Sequence, residues 1–527
     1  MASLPSENEL SVTPQEFPQS NPETSEGHSY NQIVRSSALI GGASVLNIAI
    51  GIIRVKAMAV FLGPGGFGLA GLYTSVSELT QSIAGLGVNS SGVRQIAEAA
   101  GSGDADRIGR TAAVLRRTSL LLGVLGALLL IALSKQVSIL TFGNSQHTSA
   151  ICLLSVAVVF RLVSAGQGAL IQGMRRVADL AKMGVLGAFF GMLATIPLVY
   201  VFRERGIVPS LIAVAAMMFL TSWWYSRKLH SNTPSISIFE LSQEVAPLLT
   251  LGFAFMSSGL MNMGIAYIVR ITVLRRVGFE AAGLYQAAWT LGCLYVAFIL
   301  QAMGADFYPR LTACVQGHDD AACNRMVNEQ ARAGLLLGGP GVIATVTFAP
   351  FILPLFYTVK FIAAVEILRW ICLGTILQVI TWPMSFIIVA KGRRNLYLFS
   401  EVAWSAVSLG LARFCIYRFG ATGAGMAFFG SCLAHGLIMY PIVRRISGFR
   451  WSSDSVRTGC FFLTFIVIVF CVFSTIPLSY ATVVGILAVI LSCWYSWRSL
   501  LASVTSDVLP LRLRKALVEF GFLSMDS

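Results

Sequence analysis

Apolar runs of about 20 residues recur along almost the whole chain, and each is long enough to cross the hydrocarbon core of a bilayer as a helix. The pattern predicts about fourteen spans, over 36–62, 67–88, 113–133, 148–172, 179–202, 206–227, 245–271, 281–303, 332–356, 361–388, 397–418, 422–445, 457–477 and 479–499. The connecting stretches are short. The longest, between spans two and three and between spans eight and nine, are about 25 residues and cannot build a core of their own. In lipid each backbone polar group has to be satisfied internally, so these runs read as helices and the fold class is all-α integral membrane.

The two halves of the pattern resemble each other. Residues 51–73 read GIIRVKAMAVFLGPGGFGLAGLY and residues 267–285 read YIVRITVLRRVGFEAAGLY. Each has an arginine late in an apolar run, then a Gly–Phe turn, then AGLY. Arg54 and Arg270 are 216 positions apart, as are Arg94 and Arg310, and Gly173–Arg176 is echoed by Gly392–Arg394. Each repeat has six spans, an even number, so the halves are parallel repeats related by an axis along the membrane normal. The expected organisation is a disordered cytoplasmic tail over 1–33, a six-helix lobe over 34–228, a linker over 229–244, a second six-helix lobe over 245–450, an additional helix pair over 451–500 and a tail over 501–527. The 1–33 stretch is polar and lacks the basic start and apolar core of a signal peptide, so the first span is expected to be retained. A basic stretch around Arg512, Arg514 and Lys515 is expected to lie on the membrane surface.

Composition agrees with lipid as the solvent. Of 527 residues 56% are hydrophobic and 12% charged, against about 25% charged in soluble domains. The net charge of +14 would suggest nucleic acid in a soluble protein. Here most basic residues sit in short loops and set topology, and no nucleic-acid partner is expected. With the N-terminus placed in the cytoplasm, 25 of the 38 lysines and arginines fall on that side, 7 on the other and 6 within spans, which puts both termini inside. Ten cysteines form no CxxC pair and five histidines form no cluster, so neither a metal centre nor a cofactor is expected.

Charges within the spans carry the functional signal. An ionised group at the bilayer centre costs about 2.5–3.5 kcal/mol, so it faces a cavity, a partner or a substrate. The bases are Arg54, Lys56, Arg161, Arg270, Arg369 and Arg413, and the acids Glu78, Glu366 and Glu401. Arg369 and Glu366 are three apart and expected to pair. Arg161 sits mid-span, where snorkelling is difficult. Arg54, Lys56, Arg161 and Arg270 are the candidate anion-binding residues, with Glu78 and Glu401 as candidate coupling or charge-pairing acids. Arginine suits phosphate because its planar fork of donors matches phosphate oxygens. No catalytic residues are expected, since no loop offers a carboxylate cluster.

The stretch RSSALIGGASVLNIAIGIIRVKAMAVFLGPGGFGLAGLYTSV at 35–76 resembles the opening of polysaccharide-repeat-unit (O-antigen) flippases of the multidrug/oligosaccharidyl-lipid/polysaccharide exporter superfamily. The resemblance spans roughly residues 34–450. It implies two lobes of the multidrug-exporter type, alternating access, and movement of undecaprenyl-diphosphate-linked oligosaccharide from the inner to the outer leaflet of a bacterial inner membrane. It further implies membrane lipid and a polysaccharide polymerase or export machinery as partners. The additional helix pair is a feature of the related lipid II flippases, which keeps a lipid II-type flippase open as an alternative. A drug/cation antiporter of the same fold is the other alternative, and it would need membrane-embedded acids where span one offers Arg54 and Lys56.

Overall fold

The computed structural model describes residues 22–102, 104–228, 259–294 and 307–503. The described residues are helical almost throughout. In chain order they form α1 (Pro22–Gly85), α2 (Val88–Gly101), α3 (Ala105–Ala132), α4 (Ser134–Phe142), α5 (Thr148–Gly173), α6 (Val177–Phe202) and α7 (Ile207–Ser226). There follow α8 (259–277), α9 (Phe279–Gly292), α10 (307–316), α11 (Asp320–Phe356), α12 (Val365–Ala390), α13 (Arg394–Ser447), α14 (Ser453–Thr475) and α15 (Leu478–Ser503).

Nine helical stretches among the described residues are long and apolar enough to cross a membrane. Three of them, Gly41–Gly85, Val177–Ser226 and Arg394–Ser447, run to 45, 50 and 54 residues. At 1.5 Å per residue each is about twice a bilayer thickness and holds two crossings. That makes twelve. The two remaining spans of the expected fourteen are α8 and α9, which run into the undescribed segments 229–258 and 295–306. The expected linker 229–244 and most of the tail 501–527 lie outside the described residues. So do residues 1–21 of the expected N-terminal tail, whereas 22–33 already belong to α1.

The long helices turn at glycines. α1 breaks at Gly63 (φ 65°, ψ −173°) and α13 at Gly420 (φ 63°, ψ −140°). Gly278 (φ 112°) separates α8 from α9. These φ values lie where a side chain would clash, so glycine is what allows the reversal. The breaks at Gly63 and Gly278 are the repeated Gly–Phe turn of the sequence, with three more residues after the first break. In both halves the turn is followed by AGLY, and Ala70, Leu72, Tyr73, Ala282 and Tyr285 are all buried.

α1, α3, α5, α6 and α7 pack on one another as one lobe, and α9, α11, α12 and α13 as the other. Within the first lobe, Gly187 and Gly191, four apart, let α6 and α7 approach closely: a Cβ on Gly187 would meet Met218 Sδ at 2.5 Å, and one on Gly191 would meet Val214. Between lobes the main contact is α1 on α9. It is backbone on backbone. A Cβ on Gly68 would lie 2.6 Å from Gly283 N, and one on Gly283 would lie 1.8 Å from Pro64 O.

α14 and α15 pack on α11. Asn328 of α11 ties the connection down: its Nδ2 donates to Arg450 O at 3.1 Å, its Oδ1 accepts from Ser452 N at 2.7 Å, and its carbonyl accepts from Ser455 Oγ at 3.1 Å. Arg369 also serves this packing. Among the described residues it forms no ion pair with Glu366 within 4 Å. Its guanidinium lies 4.1 Å from the Phe473 ring centroid on α14, and its Nε donates to Val346 O.

Candidate functional site

A cavity of about 340 Å³ lies between the lobes. Its walls come from α1 (Glu78, Gln81, Ser82), the α1–α2 turn, α3, α5 (Leu162, Ala165, Gly166) and α8 (Gly259, Met263). It reaches Gly85, Gly87 and Asn89, at the end of the molecule that carries the basic loops. Ser75, Glu78 and Ser82 recur at helical spacing on α1 and form a polar stripe down an otherwise apolar span.

Three arginines gather at this stripe. Arg54 of α1 and Arg161 of α5 are half-buried and close enough to repel each other electrostatically, and Glu78 interacts with Arg161. Neither arginine makes a hydrogen bond or ion pair among the described residues. Two like charges held near one carboxylate leave excess positive charge inside the membrane. Arg270 of α8 comes from the opposite lobe, and its Nη1 donates to Ser75 Oγ on the same stripe. The structure thus brings Arg54, Arg161, Arg270 and Glu78 to one region. Charge alone does not single out Ser75, Gln81 and Ser82; their spacing within span two is the signal that finds them.

Lys56 and Glu401 lie elsewhere. Lys56 Nζ donates to Pro354 O at 2.8 Å and Leu355 O at 2.9 Å, in the last turn of α11. There it satisfies carbonyls at a helix C-terminus, where a cation also complements the helix dipole. Glu401 is buried within α13, and its Oε2 has no hydrogen-bond partner among the described residues.

The end of the molecule opposite the basic loops is closed by contacts between lobes. Phe67 packs edge-on to Tyr357 (5.4 Å between centroids) and Phe361 (5.8 Å). The Lys56 bonds to α11 cross here too. Thr141 of α4 and Tyr267 of α8 share a hydrogen bond of 2.5 Å, and Arg275 donates to Ile139 O. His147 stacks on Phe142 at 3.9 Å, faces Phe279 of the other lobe at 6.3 Å and is 2.8 Å from the Tyr73 hydroxyl. The arrangement is a cavity with Glu78 on its wall that reaches the end carrying the basic loops, with the three arginines beside it and inter-lobe contacts closing the other end.

A second cavity, of about 270 Å³, lies within the second lobe. Tyr285 and Trp289 of α9, Trp404 and Phe428 of α13 and Gln378 of α12 line it, along with Asn262 of α8.

A model of a family described as polysaccharide biosynthesis protein matches residues 57–366. Similar proteins include the lipid III flippases of Escherichia coli (strain K12) and Shigella flexneri, each 21% identical over 425 residues, covering 76% of this chain and 96% of the relative. Among solved structures, an inward-facing multidrug resistance transporter of the MATE family and MOP superfamily superposes with a TM-score of 0.61 at 17% identity, covering 77% of this chain and 98% of the other. The lipid II flippase MurJ, in an inward closed conformation, also gives 0.61, at 13% identity over 88% of this chain and 99% of the other. These likenesses show the fold: two six-helix lobes of the kind the sequence repeat anticipates.

Proposed function

The chain belongs to the polysaccharide biosynthesis protein family, and from that premise we propose that it is a flippase for undecaprenyl-diphosphate-linked repeat units of O-antigen or exopolysaccharide. It is a transporter rather than an enzyme. The observation that supports the reading is the set Arg54, Arg161 and Arg270 gathered along the polar stripe of α1, whose one acid, Glu78, also lines the cavity between the lobes. Such a set favours an anion with several oxygens, and a diphosphate offers them while its lipid tail stays in the bilayer. With the basic loops in the cytoplasm, the open end faces the leaflet where lipid-linked precursors are built and the sealed end faces the outer leaflet. Rocking of the lobes then carries the headgroup across. Its partners are the lipid-linked oligosaccharide, membrane lipid, and the polymerase or export machinery that uses the flipped unit.

A flippase for a peptidoglycan precursor of the lipid II type is the second reading, favoured by the appended pair α14–α15. Both readings require Arg161. Arg161→Ala is expected to abolish flipping of a lipid-linked oligosaccharide in proteoliposomes while the protein inserts and accumulates normally. Arg161→Lys separates charge from fork geometry and is expected to retain partial activity. Full transport by Arg161→Ala would remove this residue from the site. Competition between lipid II and lipid-linked repeat units in the same assay distinguishes the two substrates.

A further inference from the structure

The second-lobe cavity differs in chemistry from the cavity between the lobes. Its walls are aromatic faces (Tyr285, Trp289, Trp404, Phe428) interleaved with neutral amides and hydroxyls (Asn262, Gln378, Ser408, Ser431), and among the described residues no carboxylate, lysine or arginine lines it. At about 270 Å³ it falls just below the range of about 300–1,000 Å³ typical of drug-sized sites. Trp404 Nε1 and Ser408 Oγ are buried at its wall without hydrogen-bond partners among the described residues. Buried polar groups are ordinarily paired, so each such atom calls for an explanation.

The cavity also has a position. α8 carries Gly259 and Met263 toward the first cavity and Asn262, Ala266 and Val269 toward the second. Arg270, on the same helix, bonds Ser75 of the first-lobe stripe. It also interacts electrostatically with Tyr285 and Cys293, both of which line the second cavity. Arg270 therefore stands between the polar stripe of α1, with its charged groups, and a neutral aromatic cavity.

We propose that the second-lobe cavity is a subsite for a neutral glycosyl residue, the one attached to a diphosphate held at Arg270. A pyranose ring has an apolar C–H face that stacks on aromatic rings and a rim of hydroxyls that amides and side-chain hydroxyls can bond. A diphosphate has neither feature and belongs with the arginines. The size of the cavity suits one or two rings, so it reads the first sugars of the lipid-linked unit and leaves the rest of the chain outside. The inference rests on the flippase reading above and adds where sugar selectivity resides.

The test uses the full-length protein in nanodiscs and two kinds of probe: a short-chain polyprenyl diphosphate, and the same lipid diphosphate bearing glucose, galactose or N-acetylglucosamine. Wild-type protein is expected to bind at least one glycosylated probe about tenfold more tightly than the bare diphosphate, the effect of about 1.4 kcal/mol of extra contact. Gln378→Leu keeps the volume and removes the amide, and Trp404→Phe keeps a ring and removes the indole N–H. Each is expected to erase most of that gain and leave affinity for the bare diphosphate unchanged, which also reports that the variant is folded. If no sugar improves wild-type binding, or if both variants weaken all probes alike, the subsite is overturned and the flippase reading stands. If wild-type protein binds neither kind of probe, the flippase reading falls and takes the subsite with it.

Discussion

Arg54, Lys56, Arg161 and Arg270 look alike in the sequence, as basic residues inside apolar runs, yet the structure gives them different work. Arg54 and Arg161 lie close enough to repel each other, and Glu78 acts on Arg161. Lys56 spends its charge on two carbonyls of α11 almost 300 residues away. A charge in a span announces that something compensates it, but a backbone carbonyl leaves no mark in the sequence, so the role of Lys56 was not legible there. The neutral lining of the second cavity was equally silent, because Trp404, Gln378 and Ser431 are ordinary residues in a buried helix. Arg54 and Arg270, equivalent in the repeat, were legible, and they give a sharp test. If both contact one diphosphate during the cycle, each supplies charge-assisted hydrogen bonds of about 1.5–3 kcal/mol. Either single alanine variant is then expected to weaken binding roughly ten- to a hundredfold. The double variant is expected to lose less than the sum, because residues that share a partner couple. Additive losses that track protein level would instead mark two helix anchors at the membrane surface.

At the scale of elements, most of the fold was written in hydropathy. The crossings predicted over 36–62 and 67–88 form one helix broken at Gly63, and those over 397–418 and 422–445 one helix broken at Gly420. Hydropathy marks where a chain is apolar; it does not tell a loop from a sharp break, which depends on a single φ. What the AGLY repeat does could not be read from the sequence either. In the second half its glycine is Gly283, which meets Gly68 and Pro64 and brings α1 and α9 into backbone contact. Gly283→Ala puts a methyl 1.8 Å from Pro64 O, where neither partner is a flexible side chain that can yield. The variant is expected to melt at lower temperature and to lose transport. Gly264→Ala, with open space around its Cβ, is the control and is expected to melt no lower than wild type, since alanine is the better helix former by about 1 kcal/mol. Equal melting temperatures for the two variants would show that the crossing is not a tight contact.

For the whole molecule, the charge bias and the sealed end bear on orientation and switching. On the charge bias, Arg394 is expected in the cytoplasm and Lys360 outside. A periplasm-active reporter fused after Lys360 is expected to be active and one after Arg394 silent; the reverse pattern would end the fourteen-span topology. At the sealed end, His147 precedes α5 and is faced by the Tyr73 hydroxyl from α1 and by the rings of Phe142 from α4 and Phe279 from α9, while Glu204 acts on Tyr73. Burial lowers its pKa from the ordinary 6.5, so the seal favours neutral imidazole. Above about pH 6.5 the ring is neutral whether the seal is closed or open, and there is no penalty. As pH falls through that value the open form takes up a proton first, and the closed seal is penalised increasingly until its own, lower pKa is passed. Hydrogen–deuterium exchange over 137–147 and 354–361 is therefore expected to quicken between pH 7.5 and 5.5 beyond the intrinsic chemical rate. The effect should vanish in His147→Phe.

The glycine crossing has a mechanical corollary. Where Gly68 and Gly283 meet, backbone touches backbone, so a turn about that point requires no rotamer to change there. The crossing works as a fulcrum with little friction of its own. The resistance to tilting then resides in the side chains beside that point, in the rings of Phe67, Tyr357 and Phe361 and in the ammonium of Lys56 clasping α11. If the lobes rock about this point, the latch rather than the bearing is expected to set how long the carrier waits before it swings.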